Sequence, residues 1–159
     1  MSFILDKDSD NYMTNKKEWE IIKNYIPNNK VIWAPFFGDG KQKEYFQDMG
    51  YDIIHEDQDF FLNNKGDIII DNPPFSKKKE ILLRLKEINK PFILICPSMM
   101  LSYKYFQELF KDNIQVIIPS KRINFKHINS EKKNYNPPFA SFYFCYKMNL
   151  PKDLIFIDN

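Results

Sequence analysis

Short apolar runs alternate with amphipathic stretches along residues 31–118 of the chain. Apolar runs bounded by proline, glycine or asparagine predict buried strands, and stretches with apolar positions three and four apart predict helices. The predicted strands are residues 31–34, 51–55, 67–71, 91–97 and 114–118. The predicted helices are residues 16–25, 41–49, 77–89 and 102–111. This alternation predicts an α/β fold with a mostly parallel sheet and right-handed crossovers.

The pattern changes after residue 118. Residues 119–138 form a long polar segment, and residues 139–148 predict a strand rich in aromatic side chains. Residues 154–157 predict a last strand. Because no helix separates these two strands, we expect an antiparallel hairpin at the C-terminal edge of the sheet.

Composition narrows the class of protein. The chain has 159 residues and a net charge of +2. It has no apolar run of the roughly 20 residues that a membrane span needs. Cys96 and Cys145 lie inside apolar runs and predict buried free thiols in a reducing compartment. With two histidines and no closely spaced cysteines, the sequence shows no metal site. We expect a protein of the cytoplasm or nucleus that is neither secreted nor held in a membrane.

Three loops follow predicted strands at the edge where open parallel sheets bind ligands. The first, residues 35–40, holds Gly38 and Gly40, two of only four glycines in the chain. It has no P-loop pattern, and Lys43 stands where a dinucleotide fingerprint has its third glycine, which disfavours a pyrophosphate site. From these residues alone, a ligand-binding loop and a simple tight turn both stay open.

The second loop is acidic. Glu56 and Asp57 follow a strand, where a carboxylate accepts hydrogen bonds from ribose hydroxyls. Asp59 and Phe60 come next and supply a carboxylate for an amine proton and a ring to pack on a purine. An ordinary solvated loop is the alternative interpretation of these residues.

The third loop, Asn72-Pro73-Pro74-Phe75, has the most specific pattern. Its prolines remove two N–H donors, so the loop presents acceptors, namely the side-chain oxygen of Asn72 and the carbonyl of Pro73. Phe75 adds a flat face for stacking. Two acceptors beside a ring suit an exocyclic amine whose lone pair is directed at an electrophile.

Together these motifs resemble the S-adenosylmethionine-dependent N6-adenine methyltransferases, in particular the small enzymes of phages and large DNA viruses. The resemblance covers about residues 10–147, and residues 72–75 match the catalytic motif of the family without departure. It implies a Rossmann-like methyltransferase fold with S-adenosylmethionine as cofactor. It also implies one methyltransferase domain over residues 1–159, with residues 1–30 as an N-terminal cofactor-binding and helical segment.

The resemblance implies a set of cofactor contacts. The cofactor-binding residues are then Tyr12, Thr14, Pro35, Phe36, Phe37, Gly38, Gly40, Glu56, Asp57, Asp59 and Phe60. Asn15 stands where the family often has a proline, and Ala34 replaces the usual acid that contacts the amino group of the cofactor. Asp39, or an acid elsewhere in the chain, is a candidate substitute for that acid.

The polar segment is the candidate substrate-binding loop. Residues 119–138 carry a net charge of +4. We interpret Lys121, Arg122, Phe125 and Lys126 as residues that bind nucleic acid through its phosphates and by stacking, with a solvated loop as the alternative. A second Asn-Pro-Pro-Phe, residues 136–139, precedes a strand instead of following one, and we interpret it as a rigid turn.

The predicted reaction is methyl transfer from S-adenosylmethionine to the N6 amine of adenine in nucleic acid, with DNA favoured. The alternatives are an RNA N6-adenosine methyltransferase, a protein glutamine methyltransferase with a similar Asn-Pro-Pro cradle, and a non-catalytic subunit of a methyltransferase pair. A non-catalytic subunit would explain why Ala34 stands in place of the usual cofactor-binding acid. A homo- or heterodimer also stays open, because little of the sequence lies outside the catalytic core to recognise a target.

Overall fold

The computed structural model of the protein describes residues 10–129, 131 and 137–159. The strands are β1 (Tyr12–Thr14), β2 (Ile32–Trp33), β3 (Ile53–Ile54), β4 (Ile68–Asp71), β5 (Phe92–Pro97), β6 (Ile114–Pro119), β7 (Phe125–His127), β8 (Ser141–Tyr146) and β9 (Leu154–Ile157). The helices are α1 (Lys16–Glu20), α2 (Gln42–Asp48), α3 (Lys78–Ile88) and α4 (Lys104–Phe110). Short 3₁₀ turns are formed by Lys23–Tyr25, Phe60–Leu62, Phe75–Lys77 and Ser98–Ser102.

The central sheet has the strand order β3-β2-β4-β5-β8-β6-β9. Strands β3, β2, β4 and β5 are parallel to one another, as the alternation of strands and helices predicts. The chain passes from β2 outward to β3 and then returns to the other side of β2 to form β4. This reversal opens a crevice at the carboxyl ends of β2 and β4, which is where open α/β sheets bind ligands.

The predicted antiparallel hairpin at the C-terminal edge is wrong, because β8 and β9 are not neighbours in the sheet. Strand β8 is inserted between β5 and β6 and is antiparallel to both, whereas β9 lies at the edge and is parallel to β6. The side chains of Tyr143, Phe144 and Cys145 are fully buried, so both faces of β8 are covered. A strand with apolar side chains on both faces is more stable in the interior of a sheet, where both faces are covered, than at an exposed edge.

The core has two layers, one on each face of the sheet. Trp19 of α1 and Phe46 of α2 pack on one face, against Ile93 of β5. Helices α3 and α4 cover the other face through side chains such as Leu82 and Phe106. The two cysteines are buried and free, as predicted. No helix in the described ranges is long and apolar enough to cross a membrane.

A small antiparallel ribbon lies outside the central sheet. It pairs β1 with β7, with Tyr12 opposite His127 and Thr14 opposite Phe125. The sequence predicts neither strand, because each is only three residues long and their partners lie more than a hundred residues apart. The ribbon brings the N-terminal segment to the carboxyl edge of the sheet.

Candidate active site

A cavity of about 370 Å³ lies at the carboxyl ends of β2 and β4. It is bounded by the loops after β2, β3 and β4 and by the N-terminal strand β1, so the three loops converge as predicted. The predicted residues that line it are Tyr12, Thr14, Pro35, Phe36, Phe37, Gly38, Asp57, Asp59, Phe60, Asn72, Pro73, Pro74 and Phe75.

Two predicted cofactor residues do not line the cavity. Glu56 is exposed and forms an ion pair with Lys65, with 3.7 Å between carboxylate oxygen and ammonium nitrogen. Asp57 lines the cavity instead, so of the two candidate acids the second is the one placed to contact a ligand there. Gly40 belongs to the loop after β2 but does not line the cavity, and a Cβ atom at this position would stand 2.8 Å from the ring of Phe37.

The predicted substrate residues of the polar segment also lie away from the cavity. Phe125 is 1% exposed and packs in the core, so its predicted stacking on a base is wrong. Arg122 donates to the carbonyl of Pro137, and Lys121 is exposed. The ammonium of Lys126 donates to the hydroxyl of Tyr45, 2.7 Å away. Because Tyr45 lines the cavity, this hydrogen bond from Lys126 stabilises one of the cavity walls.

Part of the predicted substrate segment lies outside the described residues. This part is residues 130 and 132–136, with two of the lysines of the segment and the asparagine of the second Asn-Pro-Pro-Phe. Phe139, at the end of that tetrapeptide, packs edge-on against the ring of Phe75, with 6.4 Å between centroids. Phe75 is 8% exposed, so its faces are mostly covered and only part of the ring reaches the cavity.

Asp71 is a central residue of the site that the sequence analysis does not single out. It ends β4 and is 2% exposed. Its carboxyl oxygens accept hydrogen bonds from the backbone N–H groups of Phe36 at 2.7 Å and of Asn72 at 2.8 Å. Burial raises the pKa of this carboxyl to about 8, against the opposing effect of the two N–H donors. The available signal was an acid at the end of an apolar run, directly before the tetrapeptide.

Two residues that line the cavity each have a buried side-chain oxygen without a hydrogen-bond partner among the described residues. These atoms are the side-chain oxygen of Asn72 and the hydroxyl of Thr14. A buried polar atom without a partner costs roughly 1–3 kcal/mol, so such atoms indicate where a ligand completes the site. The Asn72 oxygen can only accept, and it therefore calls for a ligand that donates an N–H or O–H.

The cavity is acidic. Five carboxyl groups line it opposite a single lysine, Lys77, among the described lining residues; they belong to Asp10, Asp39, Asp57, Asp59 and Asp71. Several of these carboxylates also stabilise the local backbone: Asp59 accepts from the N–H of Phe61, and Asp10 accepts from the N–H and hydroxyl of Ser76. An excess of carboxylates suits a ligand that carries positive charge.

The N-terminal strand lies directly over the glycine loop. Gly38 has a φ of +57°, a conformation that favours glycine. A Cβ atom at this position would stand 2.5 Å from the sulfur of Met13. Met13 lies on β1 and also lines the cavity, so the missing side chain of Gly38 lets β1 approach and cover one side of the site.

Residues 38–140, more than half of the chain, match the family model of the adenine-specific methyltransferase EcoRI. A Type II methyltransferase of Mycoplasma genitalium is 26% identical over 136 residues, which make up 83% of this chain and 43% of that protein. The chain therefore spans less than half the length of this curated relative.

Two solved structures are partly similar to this one. One is precorrin-6y C5,15-methyltransferase from Geobacter metallireducens, with a TM-score of 0.47 and 11% identity, covering 88% of this chain and 96% of the other. The second, from Listeria monocytogenes, is assigned to the class I S-adenosylmethionine-dependent methyltransferases. It has a TM-score of 0.47 and 11% identity and covers 98% of this chain and 68% of the other.

The family match begins at Gly38, near the end of the loop after β2, and includes the whole of the loops after β3 and β4, with Asp57 and Asn72. It confirms the resemblance to adenine methyltransferases, and the mostly parallel sheet confirms the predicted Rossmann-like fold. S-adenosylmethionine is the cofactor that accompanies this family. The chain belongs to the EcoRI family of adenine-specific methyltransferases.

Proposed function

We propose that the protein transfers a methyl group from S-adenosylmethionine to the N6 amine of adenine in DNA. The observation that carries this proposal is the buried side-chain oxygen of Asn72, which has no partner among the described residues and belongs to a residue that lines the cavity. The adjacent Pro73 supplies a second carbonyl acceptor at the same wall. An amine with two hydrogens is the group that two neighbouring acceptors hold best.

The cavity fits S-adenosylmethionine in size and charge. Its volume of about 370 Å³ lies within the range of roughly 300–1,000 Å³ that is typical of small-molecule sites. Asp57 follows β3 at the position where an acid accepts hydrogen bonds from ribose hydroxyls, and the hydroxyl of Thr14 offers a further polar contact. When bound, the cofactor supplies an electrophilic methyl group on a positively charged sulfur.

The residues of the chain orient the acceptor amine. Asn72 and the carbonyl of Pro73 fix its two hydrogens and so aim its lone pair, while Asp71 holds the tetrapeptide against the loop after β2. Alignment of two reacting groups contributes up to roughly 7–11 kcal/mol to lowering a barrier, which makes positioning the main task of this site. A neutral amine needs no strong base for the attack itself. In duplex DNA the adenine must first be flipped out of the stack.

Adenine and DNA are supported by the comparisons. The matched family is described as adenine-specific and takes its name from EcoRI, and the Mycoplasma relative is named a Type II methyltransferase. These names favour DNA over RNA as the substrate. They also favour an enzyme over a non-catalytic subunit, as does the complete Asn72 cradle.

Methyl transfer is tested directly with tritiated S-adenosylmethionine and three acceptors in parallel, namely plasmid DNA, total RNA and protein. Digestion of the labelled DNA should release the label as N6-methyldeoxyadenosine. Label confined to RNA, to glutamine in protein or to another position of the base contradicts the proposal. Isothermal titration with the cofactor tests the remaining alternative, because a non-catalytic subunit that has lost its cofactor site releases no heat.

A further inference from the structure

The ammonium group of Lys78 lies between two aromatic rings. It is 5.8 Å from the centroid of Phe75, the last residue of the catalytic tetrapeptide, and 5.6 Å from that of Tyr103. Both distances are within the range of cation–π attraction. Lys78 is half-buried, so the two rings hold its charge in one place while leaving part of it accessible.

This charge has no anionic partner among the described residues. Lys78 forms no ion pair there, and the titratable group that acts on it most is the thiol of Cys96. Burial raises the pKa of that thiol, which keeps it neutral. A half-buried ammonium without a counter-ion costs free energy, and an anion that arrives with a ligand would recover that cost.

Lys78 does not line the cofactor cavity, although its neighbour Lys77 and Ile81 on α3 do. The cavity lies toward β2 and β3, whereas the rings around Lys78 include that of Tyr103. Tyr103 follows β5, on the other side of β4. Phe139, which contacts Phe75, precedes β8 at the same edge of the sheet, because Pro97 pairs with Ser141 there. Phe75, Tyr103 and Phe139 thus form an aromatic wall beside the amine cradle, where a substrate would approach.

A second lysine on the same helix shows whether a location between two aromatic rings is by itself enough to indicate a ligand site. Lys86 is also half-buried and lies between two rings, 5.7 Å from Phe110 and 5.5 Å from Tyr146. Tyr146 pairs with Phe92 at the start of β5, so Lys86 lies at the far edge of the sheet from the site. Two rings alone therefore do not indicate a ligand. Only Lys78 of this pair adjoins the catalytic motif.

We infer that Lys78 binds a backbone phosphate of the nucleic-acid strand that carries the target adenine. The inference rests on the proposed function, since phosphate is the anionic group that such a substrate brings to the aromatic wall. Lys78 acts as a substrate-binding residue, and its ammonium donates hydrogen bonds to the phosphate while Phe75 and Tyr103 limit its movement.

The test is the salt dependence of DNA binding. Affinity for a fluorescein-labelled duplex that contains adenines is measured by anisotropy between about 50 and 200 mM KCl, for the wild type, Lys78→Met, Lys78→Arg and Lys86→Met. Loss of one phosphate contact should reduce the slope of log K against log salt by about 0.9 and weaken binding roughly eightfold at about 0.1 M salt. We expect this change in Lys78→Met only, with the wild-type slope kept by Lys78→Arg and Lys86→Met.

Cofactor titration and a thermal melt accompany each variant to show that it is folded. An unchanged slope in Lys78→Met overturns the inference, and so does an equal decrease in Lys86→Met. A wild-type protein that methylates DNA while Lys78→Met keeps its slope would leave the proposed function intact and remove only the role of Lys78. A wild-type protein that methylates no nucleic acid overturns the proposed function itself.

Discussion

The carboxyl group of Asp71 and the backbone N–H of Phe36 are joined by a hydrogen bond of 2.7 Å. Phe36 belongs to the glycine loop after β2, and the other carboxyl oxygen of Asp71 accepts from Asn72, the first residue of the tetrapeptide. One buried side chain therefore sets the spacing between the loop on the cofactor side and the cradle for the amine.

The pKa of Asp71 makes the stability of the protein depend on pH. Burial raises this pKa from 3.8 to about 8, so between these values the folded protein holds a proton that the unfolded chain has lost. Stability therefore falls as pH rises from about 4 to about 8, by at most about 1.4 kcal/mol per pH unit from this group. Asp71→Asn cannot titrate and should lack this contribution.

Urea denaturation of the wild type and Asp71→Asn at a series of pH values measures the difference. The free energy of unfolding of the variant should rise relative to that of the wild type up to about pH 8 and then level off. All other titrating groups are shared, so they cancel in the comparison. A difference that does not change with pH would show that the carboxyl titrates in its ordinary range.

Asn72→Ala should abolish methyl transfer and leave cofactor binding nearly intact. The substitution removes the acceptor that orients the amine, and loss of one such positioned group costs roughly 100- to 1,000-fold in kcat. The rate is measured by tritium transfer and the affinity by isothermal titration. Asn113→Ala, at an exposed position after α4, is the control and should keep the wild-type rate. Near-normal activity of Asn72→Ala would rule out the proposed mechanism.

The two neighbouring acids after β3 should differ in their effect on cofactor affinity. Asp57 lines the cavity, whereas Glu56 pairs with Lys65 outside it. A hydrogen bond to a charged group contributes about 1.5–3 kcal/mol, so Asp57→Asn should weaken binding roughly 10- to 100-fold. Glu56→Gln should leave the dissociation constant unchanged. The opposite ranking in a titration would return the ribose contact to Glu56.

Two glycines with positive φ give a further matched pair. Gly38 and Gly50 both have positive φ, so alanine at either position costs about 1–2 kcal/mol of backbone strain. At Gly38 the new methyl group also meets the sulfur of Met13, whereas at Gly50 nothing lies within 4 Å. Both variants should lose similar stability, but only Gly38→Ala should lose cofactor affinity. Equal affinities would mean that Met13 moves aside without disturbing the cavity.

The sequence predicts most of the sheet because its strands are buried on both faces and appear as apolar runs. It also predicts the convergence of three loops, because parallel strands place their carboxyl ends at one edge. It does not predict that β8 lies between β5 and β6, or that β1 pairs with β7, since strand pairing across long separations leaves no local signal. The sequence also does not show which predicted site residues face the cavity. Phe125 is buried in the core and Glu56 pairs with Lys65, and both outcomes depend on contacts that form only in the folded chain.

The central position of β8 has a consequence for the order in which the protein acquires its structure. Strand β6 joins the rest of the sheet only through β8, which arrives 22 residues after β6 has ended. Until Ser141–Tyr146 has emerged from the ribosome, β5 has no partner on that side, and its unpaired backbone edge is open to other chains. During synthesis, the parallel half of the sheet therefore lacks its neighbour β8 until late. An open sheet edge and a pairing of strands distant in sequence favour slow folding and aggregation at this stage.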